Sequence, residues 1–116
     1  HPIFTRKGND VWCEIPLTFT QAALGAEITV PTLDGDVSYS VHEGTQPGDV
    51  FKLKGKGIEK LGGRGRGDQF VKVTIEVPKN LSKEQKEILQ SFESTANEKN
   101  YAKRKSFFDK IKDKFD

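Results

Sequence analysis

The sequence predicts a mainly β fold: a small two-layer antiparallel β-sandwich with one short internal helix, followed by helices at the C-terminal end. Three observations predict it. Five runs between Val11 and Val77 alternate apolar and polar residues, the period of a strand with one buried face. Clusters of Gly, Pro, Asn and Asp separate those runs. After Pro78 the apolar spacing lengthens to that of an amphipathic helix.

Taken in order, His1-Pro2-Ile3-Phe4 reads as an extended lead-in, because a residue before proline avoids the helical region. Lys7 to Asp10 is a turn. From Val11 to Leu17, Val11, Cys13, Ile15 and Leu17 share one face, and Trp12, Glu14 and Pro16 the other. Pro16 donates no hydrogen bond, which suits an edge or a strand end. Gln21 to Leu24 is a short helix, with Thr20 as a capping hydroxyl and Gly25 ending it in a left-handed conformation. Glu27 to Thr32 alternates around Ile28 and Val30. Asp34-Gly35 signals a hairpin into Asp36 to His42. Val50 to Lys54 and Asp68 to Val77 are further strands, joined by a glycine-rich stretch from Gly55 to Gly67. Ser82 with Gln85 forms a capping box for a helix whose stripe is Ile88, Leu89, Phe92 and Ala96. A second helix, Ala102 to Lys114, repeats the spacing with Phe107, Phe108, Ile111 and Phe115. The predicted division is a β-domain at 1–79 and a helical tail at 80–116.

A chain of 116 residues can close one core and carry an appendage. Charged residues make up 31%, above the usual share of about 25%, which fits a thin core or a surface kept for a partner. Nine Lys/Arg against seven Asp/Glu from Ser82 onward account for the net charge of +2, since residues 1–81 carry ten of each. That balance demands neither nucleic acid nor an anionic membrane. One cysteine excludes an internal disulfide and makes a reducing compartment the default. No apolar run approaches the roughly 20 residues of a membrane span, and no signal peptide is visible. A cytoplasmic location is expected. The start at His1 reads as a piece of a longer chain.

No catalytic set emerges. His1 and His42 have no cysteine or carboxylate at ligand spacing, so no metal site is expected. No serine sits in a nucleophile elbow. Cys13, on an apolar strand face, reads as a small core residue. The glycine-rich stretch lacks the G-K-[ST] ending of a phosphate loop. Arg64 and Arg66 between glycines, with the tail lysines, leave one other class open: a nucleic-acid-binding module. Few aromatics accompany them, so nucleic acid is not the expected partner. What remains is binding by shape, an extended apolar peptide added at a strand edge. The three terminal phenylalanines need cover as well, each worth roughly 1.5–3 kcal/mol when fully buried.

The wording is more specific than the spacing. HPIF followed by R-K-G-x-D, then IPLTFTQAALG, VPTLDG, GTQPGDVFKLKGKGI and GRGDQFVKV, resembles the second carboxy-terminal domain of the DnaJ co-chaperones, from His1 to about Leu89. The resemblance implies a non-enzymatic protein that captures unfolded polypeptide, passes it to the DnaK ATPase, and forms a homodimer through its carboxy terminus. No H-P-D signature occurs, so the ATPase-stimulating J-domain is missing, and no C-x-x-C-x-G-x-G repeat occurs, so the zinc region is missing as well; no cofactor is expected. By the same resemblance, Cys13, Ile15, Val30 and Val71 are candidates for a client groove between the first two strands and the last. Dimer contacts map onto Ile88, Leu89 and Phe92, extended by Phe107, Phe108 and Ile111.

Overall fold

The structure, a computed structural model, describes residues 3–115, with the side chain of Phe115 outside that description; so is the lead-in at His1-Pro2. The chain divides into two compact units, 1–78 and 79–116.

The first unit holds six strands and one helix: β1 (Thr5–Lys7), β2 (Asp10–Thr18), α1 (Phe19–Leu24), β3 (Ala26–Thr32), β4 (Gly35–Val41), β5 (Val50–Leu53) and β6 (Gln69–Glu76). They form a four-stranded sheet in the order β1-β2-β6-β5 and a two-stranded sheet, β3-β4. The mainly β fold with its internal helix and C-terminal helices stands as the sequence predicts. Strand direction departs from it at one place. β2 and β6, the central pair, run parallel over Val11↔Gln69 to Thr18↔Glu76, while the other pairs are antiparallel. Alternation reports which face is buried and not which way a strand runs. A parallel neighbour needs a long connection, which α1, the β3-β4 hairpin and β5 supply.

Two other expectations shift. β1 goes unpredicted, because three residues are too few to show a period. The cap of α1 is Thr18 rather than Thr20: its hydroxyl accepts from the Gln21 amide at 3.1 Å, and the Gln21 side chain accepts from the Thr18 amide at 3.0 Å. Thr18-x-x-Gln21 is a capping box in the sequence. Gly25 does take a positive φ of 80°, though with an extended ψ of 157°. A Cβ there would meet the Val41 carbonyl oxygen at 2.8 Å.

The core lies between the two sheets. Leu17, Ala22, Val41 and Val73 form one buried cluster, and Cys13, Val30 and Val71 the other; Ile15, Ile28, Tyr39 and Phe51 pack against both. Gln69 is buried at the base of β6 and reaches across the gap, its amide nitrogen donating to the Pro31 carbonyl at 2.9 Å. On the outer face of the larger sheet, Trp12 and Phe70 stack at 4.8 Å as a cross-strand pair, with the Lys7 ammonium 5.0 Å from the Trp12 ring.

The glycine-rich stretch closes back on itself. Gly57 donates to the Gly67 carbonyl and Gly67 to the Ile58 carbonyl, both at 2.9 Å, and Ile58 donates to the Asn9 carbonyl at 2.8 Å. Three backbones cross there with no room for a side chain: a Cβ on Gly57 would lie 2.5 Å from the Asn9 oxygen, and one on Gly67 would overlap the same carbonyl. Gly67→Ala should therefore lower stability by about 2–4 kcal/mol in urea unfolding. Gly63→Ala, at a positive φ of 68° but facing open space, should cost only about 1 kcal/mol. Equal losses would refute the crossing as the cause.

In the second unit, α2 (Lys83–Thr95) starts on the predicted capping box, Ser82 with Gln85. A short turn at Glu98–Asn100 leads to α3 (Ala102–Phe115).

Candidate functional site

The predicted groove residues are mostly interior. Val30 and Val71 are 0% exposed and Cys13 5%, packed as one cluster between the sheets. They are the residues expected at a client groove, and in this structure a polypeptide touches them only if the sheets part. They share the inward face of the alternation, and inward here means toward the opposing sheet. Ile15, half-buried, is the one of the four within reach of the surface. Burial raises the Cys13 thiol above its ordinary pKa, and a contact from the Gln69 amide nitrogen at 3.5 Å opposes the shift only in part. The thiol stays protonated near neutrality and is a core residue rather than a nucleophile.

The edges of the larger sheet decide where a strand can be added. Val11 donates to the Asp68 carbonyl at 3.0 Å, so Val11, Cys13, Ile15 and Leu17 turn their backbone groups toward β6. Glu14 and Pro16 turn theirs to the other side, where β1 covers only Asp10 to Trp12. Pro16 therefore sits where its missing donor costs nothing. That edge is short of donors. At the opposite edge of the same sheet, β5 is followed by no further strand among the described residues, and a cavity of about 220 Å³ opens between β5 and β4, its apolar part lined by Tyr39, Val41, Phe51 and Val73 and its polar part by His42, Thr45 and Asp49. Tyr39 and Phe51 stack across it with ring centroids 3.8 Å apart. The alternation placed these residues inward; nothing in it signals that the two sheets splay at this side.

The basic loop is occupied with its own closure. Arg66 donates through Nε to the Gly57 carbonyl at 3.0 Å and through Nη1 to the Asp34 carboxylate. Asp68 accepts from the Gly55 amide at 2.8 Å. Arg66 thus spends donors on the loop itself, while Arg64 stays exposed.

Both helices of the tail present apolar side chains to solvent. Ile88, Phe92, Phe107, Phe108 and Ile111 are all exposed, Leu89 is half-buried, and α2 buries no residue at all. Phe107 and Phe108 meet edge to face at 5.1 Å, and the Arg104 guanidinium lies 4.8 Å from the Phe108 ring. Lys105 pairs with Asp109 at 2.7 Å, and that bond holds its ammonium above the ordinary lysine range.

The described residues thus comprise a β-domain with one uncovered strand edge and two helices that expose apolar side chains. Comparison with known proteins gives the family. The family model described as DnaJ C terminal domain matches residues 1–78, and the one described as Chaperone protein DnaJ C-terminal region matches 84–116. The chain belongs to the DnaJ family. It is 63% identical over 115 residues to a chaperone protein DnaJ of Ruminiclostridium cellulolyticum, covering 99% of this chain and 30% of that protein. The DnaJ of Acetivibrio thermocellus is 62% identical, covering 97% of this chain and 29% of its own length, and that of Clostridioides difficile 56%, covering 99% and 30%. The chain thus spans about three-tenths of the curated relatives it matches. Among the described residues no helix is long and apolar enough to cross a membrane.

Two consequences of the buried thiol can be measured. Cys13 should react with a thiol reagent at pH 8 at least about a hundredfold more slowly in the folded chain than in urea. Its folded pKa lies above its unfolded one, so its contribution to stability is full below about pH 8.5 and lost as pH climbs through the folded value. Unfolding midpoints of the parent should fall relative to Cys13→Val over that alkaline range. Equal thiol reactivity in both states would overturn the burial.

Proposed function

We propose that this chain is the part of a DnaJ co-chaperone that joins two copies and holds extended apolar polypeptide, which the whole protein passes to a DnaK-type ATPase. It has no catalytic role of its own in this reading. The observation that carries it is the exposed apolar stripe on both tail helices, with Ile88 60% and Phe107 58% exposed. A second copy of the same stripe is the simplest cover, since a twofold contact pairs like with like. The client segment lies at the β2 side of the sandwich, where Ile15 reaches the surface, and it meets Cys13, Val30 and Val71 only where the sheets part. Shape and apolar contact, with few hydrogen bonds, suit a binder of low sequence specificity. The tail match to the DnaJ C-terminal region supports the assembly half of this reading, and the match over 1–78 supports the client half.

Sedimentation equilibrium tests it. The intact chain should be a dimer at micromolar concentration. Ile88→Asp with Phe107→Asp removes two apolar side chains worth roughly 3–6 kcal/mol together, so its dissociation constant should rise at least about a hundredfold. Circular dichroism should show the helices retained, since both positions are exposed. An intact chain that stays monomeric at tens of micromolar, or a double variant that still pairs, would contradict the proposal.

A further inference from the structure

We propose that the open side of the sandwich, between β4 and the outer edge of β5, is a second peptide site, and that it takes an extended segment alternating bulky apolar and acidic residues. The inference rests on the reading that this domain takes extended polypeptide, but it uses the edge of the larger sheet opposite β2.

Three observations combine. The first is the edge itself. Val73 donates to the Asp49 carbonyl at 2.8 Å, and the register continues as Phe51↔Val71 and Leu53↔Gln69. Those residues direct their backbone groups to β6. Val50 and Lys52, in between, direct their amides and carbonyls outward, and neither makes a hydrogen bond there among the described residues. Two successive outward residues are what an added strand needs to begin a ladder.

The second is the cavity. An added strand keeps the alternation of the sheet it joins. Its residue beside Phe51 points inward, into the space of about 220 Å³ walled by Tyr39, Val41, Phe51 and Val73. That part of the wall is apolar and aromatic and receives a bulky apolar side chain, while His42, Thr45 and Asp49 line the remainder of the cavity.

The third is charge. The flanking residues of the added strand point to the outer face. There they lie beside Lys52, near Lys54 and one row from Lys72, all exposed. Lys72 has Glu14 opposite it on β2, whereas Lys52 and Lys54 have no ion-pair partner among the described residues. Lysines on an edge discourage pairing with most strands. They favour one that brings carboxylates.

The test uses the intact chain and two fluorescein-labelled decapeptides, with Leu and Phe at alternating positions and either Glu or Lys between them. The Glu peptide should bind about tenfold more tightly, and Lys52→Glu with Lys54→Glu should reverse the preference. By amide hydrogen exchange, the Glu peptide should slow exchange at Val50 and Lys52. Binding that ignores peptide charge and slows only amides along β2 overturns this site while leaving the proposed function standing. Failure of both peptides to bind overturns the two together.

Discussion

The structure depends on one apolar contact, the facing of β2 and β6 onto β3 and β4. Cys13 and Val71 lie side by side on the parallel pair, and Val30 comes down on them from the opposite sheet. With only a handful of fully buried side chains in the unit, little burial can be lost before the sheets separate. Gln69 adds a polar tie across the same gap, fixing how the hairpin sits over the larger sheet. Everything that could serve a partner is arranged around that contact and not within it.

The strand edges show the consequence. A sandwich of two small sheets has many edges for its size, and each is handled differently. β2 is shielded by three residues of β1 and by a proline whose nitrogen faces out. β3 carries Pro31, whose carbonyl is engaged by Gln69. β5 is neither covered nor interrupted; it carries lysines and stands over a cavity. A protein that must avoid joining its own copies edge to edge, yet accept loose chain, fits such uneven protection.

How far the sequence reveals this depends on which property each residue reports. Strands from Val11 onward were legible because alternation is a local signal, and α2 was legible because Ser82 and Gln85 mark its start. The Thr18–Gln21 box is equally visible in the sequence, although Thr20 is the hydroxyl nearest the helix-tolerant run. Strand direction was not legible, because Val71 and Cys13 alternate identically in either orientation. The burial of Cys13, Val30 and Val71 is not legible for a related reason: an inward-facing valine looks the same whether it meets a ligand or a second sheet. Arg66 looked free because its partners, Gly57 and Asp34, are brought to it by loop closure and by the β3-β4 turn. The family words place the likeness to DnaJ in the β-domain, as far as about Leu89, and it is the exposed Ile88 and Phe107 that show the tail's stripe to be without burial in a single copy.

The β unit buries its own core, whereas the tail helices leave their apolar stripe exposed. Amide hydrogen exchange of the intact chain, followed as protein concentration is raised from nanomolar to tens of micromolar, tests that contrast most directly. Protection in β2 and β6 should be independent of concentration, while protection in α2 and α3 should grow with it. Helix amides equally protected at every concentration, or strand amides that gain protection alongside them, would contradict it.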